Sequence, residues 1–429
     1  MVLILALLMI YVTYEVCCLS VCYDAAYHGT PIALTRIFAG GLHLMKITVK
    51  KKKIRSVVNI AVISLMMNIT LLGYFLYSVK INSTVKNVIR GSKPVIITIA
   101  VILLVIAIPL TAGLITVNHY LSKMNYEEET KDVNPEFTEN LSDPNADKDI
   151  SENIDDPRMW YNDNIINILL IGRDLGHGSK YYSRADSIIV VSINKLNNDI
   201  KLVSLSRATY VSIPGHGNAR LNAAHAYGGS KLLIDTIEQN YKIRIDHYVS
   251  IDFNGFIKAI DALDGVDIAL TESEVKALSP ILKQNGTVVK GAGTYHLNGN
   301  EALEYARLRE IDSDRVRTER QRTILMAIFA KFKKMYSTEN YSTLLSKSTK
   351  FLDQVLPLVS TDFTKSEIIS QATTYAGYLK WPVTEAIIPR DKTPLTKING
   401  IEVLIVNWAK VKNDIHEVLY PGIEPQEQS

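Results

Sequence analysis

The sequence predicts an α/β fold in which a mixed central sheet is flanked by helices as an α/β/α sandwich, preceded by transmembrane helices. Three observations carry that expectation. Short runs rich in β-branched residues at Ile165–Ile171, Asp186–Asn194 and Asp199–Leu205 are bounded by glycine, aspartate or asparagine, as buried strands are. Apolar residues then return at helical spacing, so strands and helices alternate. Ahead of both lie apolar stretches too long and too free of charge for a soluble core.

Taken from the beginning, the chain of 429 residues is 47% hydrophobic, enough for one large domain and a membrane region over residues 1–117. Val57–Val79 and Val95–Val117 contain no charged residue, and a span needs about 20 such residues. Met1–Cys22 is expected to be a third span. It contains Glu15 and lacks the basic start of a cleaved signal peptide. Lys50–Lys53 with Arg55, and the later group Lys80, Lys86, Arg90 and Lys93, give opposite orientations under the positive-inside rule. The net charge of +3 argues neither for nor against nucleic acid, and no helix-turn-helix or base-stacking motif is present. All cysteines (Cys17, Cys18, Cys22) lie in the first stretch, which excludes a disulfide-stapled soluble domain or a thiolate zinc site there. Residues 118–158 turn acidic and poor in aliphatic side chains, the composition of a disordered tether.

The soluble domain is expected over 159–420. Lys195-Leu196-Asn197-Asn198 joins the second and third strands as a hairpin turn. A helix is expected after Gly228-Gly229, and another through Phe253, Phe256, Ile257, Ile260 and Leu263. A long helix over Arg317–Met335 would bury Ile324, Leu325, Ile328 and Phe332. The mixed stretch beyond it, with a strand candidate at Ile401–Val406, reads as the same domain, and 421–429 as a frayed tail.

Three standard signatures are absent: the phosphate loop of nucleotide hydrolases, the HExxH of zinc proteases and the GxSxG of serine hydrolases. What remains are aspartates at strand ends and grouped arginines. Asp174 follows the first strand and Asp186 opens the second. Two carboxylates so placed suit Mg²⁺, or Mn²⁺, which take one or two carboxylates alongside phosphate oxygens and water; strand-end aspartates also cap turns. Arg307 and Arg309 would share one face of a strand. Arg317, Arg320 and Gln321 would share one face of a helix, in its first turn, where free N–H groups already attract anions. Guanidinium forks match phosphate oxygens in pairs, which favours a phosphate or pyrophosphate site over a merely solvated face.

In order along the chain stand Asn-Ile-Leu-Leu-Ile-Gly-Arg-Asp at 167–174, Ser-Arg-Ala-Asp-Ser at 183–187 and Ser-Leu-Ser-Arg-Ala-Thr at 204–209. Arg-Leu-Asn-Ala-Ala at 220–224, Tyr-Val-Ser-Ile-Asp-Phe at 248–253, Tyr-Ala-Arg-Leu-Arg at 305–309 and Arg-Thr-Glu-Arg-Gln at 317–321 follow. With these blocks the chain resembles the LytR-CpsA-Psr family of bacterial cell-wall enzymes. The resemblance implies an enzyme that moves a glycopolymer, of the teichoic acid or capsular polysaccharide kind, from an undecaprenyl-pyrophosphate carrier to peptidoglycan. It implies Asp174 and Asp186 as Mg²⁺ ligands, and Arg184, Arg207, Arg307, Arg309, Arg317 and Gln321 around the pyrophosphate. Arg220 stands where the family usually has a basic residue. Of these, Arg207, Arg307, Arg309 and Arg317 are expected to stabilise the reacting phosphate, and Arg320 to join the binding set. Two departures stand out: the family's Pro-Arg-Asp is here Ser206-Arg207-Ala208, and Gly176 replaces a second arginine.

The carrier's tail requires an apolar cleft, expected near Phe253 and Phe256. The resemblance also implies a multi-pass protein of the cell membrane whose C-terminal domain lies outside the cytoplasm, since the acceptor is there. Two alternatives stand beside this reading: a non-catalytic polyprenyl-pyrophosphate-binding regulator, favoured by Ala208, and a transcription attenuator.

Overall fold

Asp143 and Pro144 start a helix where the sequence reading expected disordered tether. Helix α1 (Pro144–Ile154) is capped by the Asp143 carboxylate, which accepts from the backbone N–H groups of Asn145 and Ala146. Composition averaged over the segment hides Ala146, Ile150 and Ile154, whose spacing puts one apolar stripe against the core with Leu141. The computed structural model describes residues 118–125, 131–133, 139, 141–174, 180–309, 311, 313–338, 341–378 and 380–427. The expected spans at 1–22, 57–79 and 95–117 lie outside them, and among the described residues no helix is long and apolar enough to cross a membrane.

Strands β1 (Arg158–Met159) and β2 (Ile165–Arg173) follow, then β3 (Ala185–Asn194) and β4 (Asp199–Leu205). The turn between β3 and β4 forms as expected: Asn194 Oδ1 accepts from the N–H groups of Leu196 and Asn197, and Asn198 takes a positive φ of 55°. A ribbon of β5 (Tyr210–Ile213) and β6 (Gly217–Arg220) leads into helix α2 (Leu221–Tyr241). This helix starts before the expected position and kinks at Gly228-Gly229, where Gly229 has a φ of 67° that favours glycine. Next come β7 (His247–Asp252) and α3 (Phe253–Ala262), then β8 (Val266–Leu270), α4 (Glu272–Gln284), β9 (Gly293–Leu297) and α5 (Gly299–Arg307). Helices α6 (Asp314–Thr338) and α7 (Tyr341–Val355) precede β10 (Val359–Thr361), α8 (Lys365–Tyr378) and β11 (Val383–Ile388). Finally, β12 (Thr396–Ile398) and β13 (Ile401–Val403) form a hairpin before α9 (Trp408–Leu419) and β14 (Gln426–Glu427). The last strand pairs with β1, so the expected frayed tail contains ordered structure.

The main sheet has the order β10-β7-β2-β3-β4-β11. It is mixed: β2 pairs parallel with β7 and β4 with β11, while the β7–β10, β2–β3 and β3–β4 pairs are antiparallel. Alternate strand residues feed two layers. Ile165, Leu169, Val190 and Val203 pack with α1, α2 and α9. On the other face Ser204 accepts a hydrogen bond from Arg322 of α6. The strands β10 and β11 come from the C-terminal stretch and form the sheet's two edges, which ties that stretch to the same sheet.

One irregularity positions chemistry. The β2–β3 register slips so that Gly172 faces Ser187 and Arg173 faces Ala185, which leaves Asp186 as the extra, bulged residue. A Cβ on Gly172 would meet the Ser187 Cβ at 2.9 Å, so glycine lets the strands close at the bulge.

Candidate functional site

The bulge turns Asp186 toward the loop that follows β4, where Arg207 waits. Arg207 Nη1 donates to Asp186 Oδ1, and its Nη2 donates to Asp314 Oδ1 at 3.2 Å. Asp314 opens α6 and also receives Arg317 Nη2 at 2.9 Å. Three elements thus converge: a bulged strand, a strand end and a helix start. Arg317 is 2% exposed, and its Nε is buried with no hydrogen-bond partner among the described residues. Burial lowers its pKa to about 10, aided by the positive charges of Arg207 and Arg309 and opposed by Asp314. A buried guanidinium with a spare donor is poised for an anion.

A second group adjoins the first. Asp174 follows β2 and is half-buried, and its pKa is raised by burial and then by the negative charge of Asp186, with Arg184 opposing. Asp174 Oδ1 is buried without a hydrogen-bond partner among the described residues. An orphaned carboxylate oxygen repelled by a second carboxylate is what a divalent cation would resolve, so these residues fit Mg²⁺. Among the described residues there is no group of three or more such ligands. Arg184 and Arg220 lie beside them, and both bond the carboxylate of Glu139.

The remaining expectations fare unevenly. Arg309 is exposed yet close enough to Arg317 to act on its pKa. Arg307 is exposed, pairs with Glu304 at 3.9 Å and lies over the Phe253 ring at 4.9 Å. Arg307 and Arg309 do not share a strand face, because Arg307 ends α5 and Leu308 is extended. Gln321 is half-buried one turn after Arg317. Arg320 is a correction. It is 3% exposed, with Nε donating to Glu274 Oε1 at 2.6 Å and Nη1 to the Leu308 carbonyl at 3.2 Å. The helical step from Arg317 turns it into an ion pair between α4 and α6.

Phe253 and Phe256, expected to border a lipid cleft, are half-buried on α3. A cleft of about 460 Å³ opens beside edge strand β11, lined by Lys201, Arg315, Arg322, Glu385 and Arg390 among others.

Sequence reasoning missed Glu139 as a partner for two arginines, and Asp314 as a partner for Arg207 and Arg317. Asp314 has a signal, since it lies three residues before Arg317 at helical spacing. Glu139 has none, because the carboxylates around it in the acidic segment look alike.

Guanidiniums gathered with carboxylates at one end of a mixed α/β sheet define a site with the chemistry to hold an anion. The chain belongs to the LytR-CpsA-Psr family, whose model matches residues 117–417. It is 34% identical over 195 residues to the polyisoprenyl-teichoic acid–peptidoglycan teichoic acid transferase TagT of Bacillus subtilis, covering 44% of this chain and 60% of that protein. It is 40% identical over 165 residues to the regulatory protein MsrR of Staphylococcus aureus, covering 37% of this chain and 47% of that protein. The matches thus span less than two thirds of either relative. The crystal structure of the protein gbs0355 from Streptococcus agalactiae is similar at a TM-score of 0.50 and 26% identity, covering 60% of this chain and 88% of that one.

Proposed function

We propose that the protein is a Mg²⁺-dependent phosphotransferase that moves a glycopolymer from an undecaprenyl-pyrophosphate carrier to peptidoglycan. The convergence of Asp186, Arg207, Asp314 and Arg317 beside Asp174 and Arg184 carries this reading. Arg207, Arg309 and Arg317 bind the non-bridging diphosphate oxygens and oppose the charge that builds on them. Such transfer needs positioning and charge stabilisation more than covalent work by the protein. Mg²⁺ held by Asp174 and Asp186 would supply further positive charge to the phosphate oxygens. A wall-sugar hydroxyl attacks the phosphorus attached to the glycan, and the bridging P–O bond to the carrier breaks. Polyprenyl phosphate leaves, and the hydroxyl proton passes to a carboxylate beside Arg207, either Asp186 or Asp314.

The missing aspartate at Ala208 does not leave Arg207 unoriented, because Asp186 and Asp314 both hold it. That observation supports catalysis. The likeness to a regulatory protein supports the rival reading of a binding module. We further propose a multi-pass membrane protein with this domain outside the cytoplasm, where its acceptor is.

The test uses the full chain in detergent with a lipid-linked glycan, a peptidoglycan acceptor and Mg²⁺. Polyprenyl phosphate should be released, and R207A should stop the release with the fold intact. Tight binding of the lipid without release would favour the regulator.

A further inference from the structure

Glu139 is held where it can shape the two arginines at the back of the site. Arg220 Nε donates to Glu139 Oε1 at 2.9 Å, with Nη2 donating to the same oxygen, and its backbone N–H reaches Oε2 at 3.3 Å. Arg184 Nη2 lies 3.3 Å from that Oε1. The Glu139 backbone N–H in turn donates to the Tyr227 hydroxyl of α2 at 2.6 Å. We propose that Glu139 is a positioning residue for the diphosphate site: its carboxylate holds Arg184 and Arg220 side by side and leaves the Arg220 Nη1 for the ligand. This inference rests on the reading above, that the site holds a diphosphate, and extends it to Arg184 and Arg220.

Exposure distinguishes an anchor from a plug. The Glu139 side chain is 1% exposed, whereas Arg184 and Arg220 are 26% and 20% exposed. The guanidiniums therefore lie between the carboxylate and solvent, and a ligand meets them first. A plug would show the reverse order. A plain core ion pair would bury both ends, as Arg320 and Glu274 do at 3% and 9%. Arg220 spends one edge of its fork on Glu139, which leaves the Nη1 amino group for a phosphate oxygen. Like charges also need an arbiter. Arg184 Nη2 at 3.3 Å and Arg220 Nε at 2.9 Å meet the same Glu139 oxygen, so its negative charge offsets the repulsion between the two guanidiniums. Donors fixed before binding lose less freedom when the ligand arrives.

The test measures farnesyl pyrophosphate binding with Mg²⁺ to the full chain in detergent, for wild type, E139Q and E139D, alongside thermal unfolding. E139Q should bind about tenfold more weakly or worse, the size of loss seen when supporting partners of ligand-holding groups are removed. E139D keeps the charge on a shorter arm and should recover part of the affinity. A merely structural glutamate would lower the unfolding temperature in step with its loss and would show no such affinity recovery at equal stability. A folded E139Q that binds as tightly as wild type overturns the proposal. Tighter binding overturns it as well, and that is the result a plug would give. If E139Q does not fold, E139D decides: weaker binding supports the anchor, and wild-type affinity overturns it. A wild-type chain that binds no farnesyl pyrophosphate would sink the diphosphate reading itself, and this inference with it.

Discussion

Replacing Arg317 by Met should make the protein more stable and less active at once. Arg317 is 2% exposed, and its pKa falls from 12.5 to about 10, chiefly through burial and the neighbouring charge of Arg207. At about 1.4 kcal/mol per pKa unit, holding the charged form there costs about 3 kcal/mol. Its Nε is also buried and has no partner among the described residues, which adds to the penalty. The substitution loses the bond to Asp314 but leaves Asp314 paired with Arg207. Methionine has a comparable length and suits a helix. The net gain should be about 1–3 kcal/mol, in the range found when buried charges give way to apolar side chains of similar volume. Thermal unfolding of the ligand-free chain should then shift upward by roughly 2–4 °C per kcal/mol. Release of polyprenyl phosphate should be lost in the same sample. A lower unfolding temperature, or retained turnover, would refute the account of Arg317 as a strained charge kept for an anion.

Three further outcomes are expected. Asp174 has a folded pKa raised above its ordinary value of 3.8, so its contribution to stability is fully present below that value and lost as pH rises through the raised one. In chelated buffer D174N should therefore match wild type near the acid limit, exceed its stability at neutral pH, and fail to gain stability from added Mg²⁺. Identical pH profiles for the two would contradict the raised pKa. R320A strands the buried Glu274 carboxylate and should destabilise the fold by about 3–5 kcal/mol while leaving farnesyl pyrophosphate affinity unchanged in the folded fraction. An affinity loss without a stability loss would return Arg320 to the binding set. Val288 is 70% exposed and no cysteine follows Cys22, so V288C in a background without Cys17, Cys18 and Cys22 reports topology. A membrane-impermeant maleimide should label it in intact cells; labelling only after lysis would place the domain inside.

Where apolar periodicity was strong, the sequence was legible. The first three long strands and the helix at Phe253 appear within a residue or two of their expected bounds. Helix α1 was not, because its stripe of three aliphatic side chains is diluted by acidic neighbours. The site divides the same way. Asp174, Asp186 and Arg317 stand at strand ends and a helix start, places where local rules say which way a group points. Arg320 satisfies the same local rule as Arg317 and still turns away, because Glu274 on another helix captures it. Glu139 meets Arg220 across 81 residues, and no local pattern announces such a partnership.

The irregularity in β3 has a consequence for how this sheet tolerates change. Ala185, Ile188 and Val190 all belong to the same apolar cluster, although strict alternation would send Ala185 to the opposite layer from the other two. The surplus residue absorbs that phase error. Removing one residue between Ala185 and Ile188 would restore strict alternation and leave Ala185 in the interior, while deleting the aspartate or drawing it back into the ladder. Packing and chemistry therefore part at this position: a strand one residue shorter would keep its apolar phase and lose the outward placement of Asp186.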